Sequence, residues 1–424
     1  MLKFLLKGII RDHHRSLFPI IIVSSGVMLT VLIQCWVSGV LGEMIDTSAA
    51  FSTGHVKIMS RAYAENVDQI PNDLALINVN VLMGHLRADY PEMDWVIRIR
   101  FGGLLDAPDE KGETRAQGPV MGMAVQLFPN NNTEVKRLNI KKSLVKGRMP
   151  TRSGEILISN TFAEKLDVGP GDVVTLLSST MYGSMAMQNY IVAGTIQFGV
   201  IAMDRAAMIV DISDAQTVLD MNNAAGEILG YFENNIYADE RAKKLATEFN
   251  ATYEQDNDEF APTMLRLAEQ NGLDSMLEYI SSLIGAFIAI FVFAMSIVLW
   301  NAGLIGGLRR YGEVGLRLAI GENKGHVYSS MIIESVLIGI IGSVIGSALG
   351  LGISYYLQTV GFDISALMKN VTMVIPSVFR AHVTPQAYFI GFIPGLFSTV
   401  LGTMLAGIGI YRRKTAQLFK ELEV

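Results

Sequence analysis

A single cysteine among 424 residues, Cys35, rules out an intramolecular disulfide, and its place inside an apolar run sets redox chemistry aside. Charge is scarce. At 17% charged and 50% hydrophobic the chain is too apolar for a soluble protein of this size, yet too charged to lie in a membrane throughout. No G-x-x-x-x-G-K-[ST] phosphate loop, no G-x-S-x-G turn and no His/Cys ligand cluster occurs, so the chain is expected to hydrolyse nothing by itself and to hold no metal or cofactor. A basic patch interleaved with aromatics is also missing, which excludes nucleic acid as a partner.

What the chain does have is long apolar runs. About 20 apolar residues cross the roughly 30 Å hydrocarbon core of a bilayer. Runs at 17–41, 277–302, 331–357 and 387–411 each suffice, which predicts four transmembrane helices. The first is too long for a signal-peptide core and no small-residue cleavage pattern closes it, so it reads as an anchor. Ahead of it, residues 1–16 set Leu2, Leu5, Leu6, Ile9 and Ile10 opposite Lys3, Lys7 and Arg11, the pattern of an interfacial amphipathic helix. In the third run Gly342, Gly346 and Gly350 recur every fourth residue, clearing one face for close approach of a second helix. Pro394 in the fourth predicts a kink.

Between the first two runs, residues 46–271 hold 20 Lys/Arg against 30 Asp/Glu, while the remainder of the chain carries a positive excess. Alternating or β-branched stretches at 55–60, 95–105, 120–128, 155–159, 173–179, 190–198 and 206–212 predict strands. Helical patterns at 82–89, 161–166, 215–221 and 240–249 lie among them. The predicted fold is an α-helical membrane domain with four transmembrane helices plus a large extracytoplasmic α+β domain inserted between helices 1 and 2. From Thr263 to Tyr279 the pattern is amphipathic and continues into the second run, which predicts one helix rising out of the domain. The stretch 179–189 is short and lacks a proline-rich arm.

Lys/Arg placement sets the orientation. The N-terminal segment, residues 303–328 and residues 412–424 are basic, whereas the loop 359–386 carries only Lys369 and Arg380. Both termini are therefore expected inside, with the large domain outside.

The segment from Arg309 to Gly350 also resembles the signature of FtsX-like ABC transporter permeases, the group that includes lipoprotein-releasing permeases and the macrolide exporter. It has a basic pair (Arg309, Arg310), a Glu-Val-Gly step (Glu313, Val314, Gly315), Arg317, an Ala-Ile-Gly step (Ala319, Ile320, Gly321), Glu334 and the glycine ladder. Glu313 and Arg317, four apart, suit a helical ion pair. A second resemblance, to the MacB-like periplasmic core domain of the same permeases, lies in Gly147–Leu176, with Gly147-Arg148, Gly154-Glu155 and Gly171-Asp172 in that family's order; Glu155 by itself reads as a solvated strand end.

The resemblance implies a permease of the cytoplasmic (inner) membrane without its own ATPase. ATP and magnesium would reside on a separate cytoplasmic ABC ATPase dimer, contacted through Arg309, Arg310, Glu313, Gly315, Arg317 and Gly321. Further implied partners are a second permease copy or paralogue, membrane lipid, and a periplasmic protein or lipoprotein substrate. The function so implied is extraction or export of a lipoprotein or other amphipathic substrate. The alternative is a non-transporting FtsX-like signalling scaffold that activates an extracytoplasmic partner such as a cell-wall hydrolase.

Overall fold

A computed structural model describes residues 13–109, 111–129, 132–233, 235–254, 256, 258–308, 311–363 and 378–412. They fall into two compact units, one made of the long apolar helices and one containing Glu43–Leu277.

Helix α1 (His13–Ser48) ends in a π-helical turn, Ala49–Thr53, that delivers the chain to the second unit. There ten strands are linked by hydrogen bonds: β1 (Val56–Ser60), β2 (Met93–Pro108), β3 (Thr114–Val125), β4 (Leu144–Gly147), β5 (Glu155–Ser159), β6 (Val173–Ser179), β7 (Met185–Ile196), β8 (Ala207–Asp211), β9 (Glu227–Phe232) and β10 (Pro262–Arg266). Their order is β10-β1-β9-β2-β3-β8-β5-β7-β4, with β6 joined to β2 and β7. Strand β2 is the spine. Its first six residues pair with β9 and the rest with β3, so it belongs to both halves of the sheet.

Every residue of β1, β5, β8 and β9 is buried, as continuous apolar runs become when both sheet faces are covered. Helices α2 (Val79–Asp89), α3 (Thr133–Arg137) and α4 (Asp239–Thr252) lie among the strands in sequence. Ile58, Trp95, Ile99, Phe101, Leu105, Ile158 and Val210 form the main core, and each such side chain contributes about 1.5–3 kcal/mol by leaving water. The β3/β8 and β5/β7 pairs are parallel, the others antiparallel, which makes the unit an α+β domain.

One expectation fails here. The predicted helix over Thr263–Tyr279 begins instead as β10, because Pro262 to Arg266 find ladder partners in Ser60 to Val56; a 3₁₀ segment follows, and helix starts only at Leu273. Long-range pairing has overridden a local helical pattern. The short stretch 179–189 forms the end of the β6–β7 hairpin. Ser179 pairs with Met185 and Thr175 with Asn189, and the turn between them is closed by Thr180 N–H donating to the Ser184 carbonyl at 2.7 Å.

In the first unit, α5 (Leu273–Leu308), α6 (Tyr311–Ala319), α7 (Lys324–Val360) and α8 (Thr399–Arg412) join α1. Ahead of α8 the chain is helical at Ala387–Ile390 and π-helical at Ile393–Ser398, so the interruption sits at Pro394 as expected. Among the described residues, three helices are long and apolar enough to cross a membrane: Leu17–Thr53, Lys324–Val360 and Ala387–Ile408. Helix α5 contains a shorter apolar stretch, Gly285–Asn301. The segment expected over 1–16 falls outside the described residues up to residue 12, as do 364–377 of the expected loop and 413–424 of the tail.

Candidate functional site

Helix α6 lies inside the segment expected to meet an ATPase. It is amphipathic for a reason visible in its contacts: Val314 is buried against Val327 and Met331 of α7, with Leu318 packed beside them. That fastens α6 to α7. Gly315 is buried on the same side, whereas Leu316 and Ile320, four apart, are 52% and 78% exposed. The helix thus shows an apolar ridge that nothing within the described residues covers.

Gly321 stops the helix. Its φ of +99° is a region L-residues avoid, and the reversal lets Glu322 N–H reach the Arg317 carbonyl at 3.0 Å and Gly321 N–H the Leu318 carbonyl at 3.1 Å, a Schellman-type cap. The same reversal carries the Glu322 side chain back over the helix. Arg317 grips it with Nε and Nη2, each 2.6 Å from a carboxylate oxygen. Arg317 therefore forks onto Glu322. Those hydrogen bonds hold the Glu322 carboxyl below its usual range. Asn323 then caps α7 by accepting from Gly325 N–H at 3.2 Å. Arg309 and Arg310 lie outside the described residues, and Glu313 is placed in α6 by its backbone.

The three ladder glycines all face α1. A Cβ at Gly342 would lie 2.6 Å from Val23 Cγ1, at Gly346 2.5 Å from the Ser24 carbonyl, and at Gly350 2.9 Å from Val31 Cβ. Only hydrogen fits there.

The second feature lies in the outer domain and was not anticipated. Lys57, Arg98, Glu134, Glu227 and Arg137, all at most 7% exposed, belong to two buried ionic groups, one joining β1, β2 and β9 and the other joining β2 and α3. Glu227 takes Lys57 Nζ at 3.0 Å and also Arg100. Glu134 takes Arg98 Nε at 2.8 Å and Arg137 at 2.9 Å, and Arg137 continues to Asp94 at 2.6 Å. Burial pushes the Glu227 carboxyl up, but Lys57 and Arg100 outweigh it and hold it below the ordinary value; burial lowers Lys57 to about 8. Arg137 stacks over the Tyr231 ring, 3.5 Å from its centre. Beside this stack a cavity of about 230 Å³ is lined by Asp46, Ala49, His55, Arg137, Tyr231 and Asn235.

Glu155, the expected solvated strand end, is buried. Arg148 donates two bonds of 2.7 Å to it, Arg152 a third, and Thr151 N–H a fourth. The Arg148 bonds come first in bringing its carboxyl down to about 2. The Gly-Arg and Gly-Glu steps are thus two halves of one ion pair.

These groups predict an acid-sensitive domain. His55 is buried, its Nδ1 accepting Phe232 N–H at 3.0 Å, and burial, then the Arg137 charge, brings its pKa to about 4 from 6.5. A folded value below the unfolded one means stability that is complete above pH 6.5 and lost as pH falls through 4, of order 3 kcal/mol. Glu155 adds a second loss between 4.5 and 2. Residues 46–271 produced alone should therefore show a clearly lower urea midpoint at pH 4.5 than at 7, and His55→Asn, whose amide can accept the same bond, should flatten that interval. Equal wild-type midpoints at the two pH values would refute the assignment.

Residues 285–415 match a family model described as the FtsX-like permease C-terminal domain. Among curated relatives, the lipoprotein-releasing system transmembrane protein LolC of Xylella fastidiosa (strain Temecula1) is 24% identical over 298 residues, 68% of this chain and 67% of that one. The macrolide export ATP-binding/permease protein MacB 1/2 of Paracoccus denitrificans is 31% identical over 102 residues, 24% of this chain. The match spans only 15% of that relative's length. Among solved structures, the periplasmic region of MacB from Actinobacillus actinomycetemcomitans aligns at 10% identity with a TM-score of 0.36, covering 55% of this chain and 95% of that one.

Proposed function

We propose that this member of the FtsX-like permease family is the membrane subunit of an ABC transporter, driven by a separate cytoplasmic ATPase dimer that carries the ATP and magnesium. It crosses the cytoplasmic membrane four times, with α5 as the second span, both ends inside and the outer domain extracytoplasmic. A second permease copy or paralogue completes the membrane part. ATP-driven closure of the ATPase dimer moves α6, and the outer domain responds, extracting or exporting a lipoprotein or other amphipathic substrate.

One observation carries this reading: α6 is fastened to α7 by Val314 while Leu316 and Ile320 form an apolar ridge exposed among the described residues, beside the Arg317–Glu322 fork. A helix whose only task was to reverse the chain would show polar residues there. The alignment with a lipoprotein-releasing transmembrane protein over 68% of the chain supports a lipidated substrate over a signalling role.

Leu316→Asp tests the ridge. Leu316 is 52% exposed and outside the buried α6–α7 cluster, so folding and membrane insertion should be normal. The variant is expected to lose at least tenfold in co-purification with its ATPase, the scale of about 1.4 kcal/mol or more for one apolar anchor in an interface. Glu313→Lys should act in the same direction. Wild-type recovery of the ATPase with both variants would defeat the proposal.

A further inference from the structure

The π-helical turn Ala49–Thr53 is the place where the chain leaves its first long helix and enters the sheet, and its bonding is unusually complete. The Ala49 carbonyl accepts Gly54 N–H at 3.0 Å, which closes the turn, and also the Tyr231 hydroxyl at 2.9 Å. Tyr231 O in turn accepts Arg98 Nη2 at 3.2 Å, and its ring lies under Arg137. Arg98 and Arg137 share Glu134, and Arg137 ends on Asp94. An unbroken chain of bonds therefore runs from α3 through β2 and β9 to one backbone oxygen of the turn. From the other side, Gln270 Nε2 donates to the Thr53 carbonyl at 3.1 Å and Leu267 N–H to the His55 carbonyl at 3.0 Å. The segment leaving the domain is thus tied to the segment entering it.

A network of this kind is a poor way to gain stability, since apolar residues of similar volume serve as well or better. What charge and hydrogen bonding supply is a single geometry. We propose that the network is a mechanical joint in which Tyr231 is the positioning residue, holding the turn Ala49–Thr53 rigid so that the two chain crossings and the sheet move as one body. The inference rests on the bonding of this domain and not on the transport reading, so the two can fail separately. Ala49 and Tyr231 pack with Leu229 and Leu267 in a small apolar cluster separate from the main core.

The test is hydrogen exchange followed by mass spectrometry on the full chain in lipid nanodiscs. Tyr231→Phe keeps the ring beneath Arg137 and removes the hydroxyl that joins Arg98 to the Ala49 carbonyl. Peptides covering residues 50–54 should exchange about tenfold faster than in wild type, while those covering β5 and β8 stay unchanged, the signature of local opening. Glu134→Gln, which slackens Arg98 without touching the turn, should raise exchange at the same peptides. Two outcomes overturn the joint: no change at 50–54 in either variant, or a uniform rise across the domain, which would reduce the network to ordinary stabilisation.

Discussion

Gly346→Leu is expected to prevent the membrane unit from assembling. The Cβ alone would sit 2.5 Å from the Ser24 carbonyl and 2.8 Å from Val27 Cβ, and three further carbons have nowhere to go. Backbone oxygen cannot rotate aside as a side chain could, so α1 and α7 must separate. Separation also strips the contacts at Gly342 and Gly350, since the three sites share one helix face and one partner. In a bilayer, lipid tails replace lost apolar contacts at little cost, so packing is most of what holds these helices together. Overpacking costs about 1–3 kcal/mol in a core that can relax, and more where backbone is the obstacle. The observable is monodisperse protein after detergent extraction, which should fall severalfold for Gly346→Leu and recover in part when Val27→Ala is added. Unchanged yield and melting would show that α1 and α7 do not pack through this face.

Glu227→Gln is expected to be the most damaging single change in the outer domain. It leaves Lys57 and Arg100 beside a neutral amide, and Lys57, at 1% exposure, is too buried for bulk solvent to screen its charge. Removing one partner of a buried pair costs about 3–5 kcal/mol. For a domain whose whole stability is of order 5–15 kcal/mol, that is a large share. Thermal melting of residues 46–271 should drop by roughly 10 °C, at about 2–4 °C per kcal/mol for a domain of this size. A shift below about 2 °C would mean the pair is not buried as described.

Much of the sheet was legible because it needed no long-range information. EILIS, VVTLLSS and AAMIVDI are β-rich runs bounded by turn residues, and they appear as β5, β6 and β8 within a residue or two. The missed strands were different. Residues 262–266 continue without a break into apolar and amphipathic sequence, so only the partner strand β1 reveals them. The ionic groups were invisible for the same reason, since Lys57 and Glu227 are 170 residues apart and Arg98 and Glu134 36 apart. Arg98 and Arg100, at alternate positions of WVIRIR, point into a second, charged interior. The Arg317–Glu322 fork was hidden more narrowly, because it depends on the reversal at Gly321 that carries Glu322 back over the helix.

The central claim, that α6 is the surface met by the ATPase, is tested most directly by a photo-crosslinking amino acid placed at Ile320 in the full chain in its own membranes. Ile320 is 78% exposed, so the probe does not disturb the packing of α6. The account predicts one dominant protein adduct, to an ABC nucleotide-binding subunit, whose yield changes when ATP is trapped in the complex. Adducts to lipid alone, or to protein lacking a nucleotide-binding domain, would contradict it.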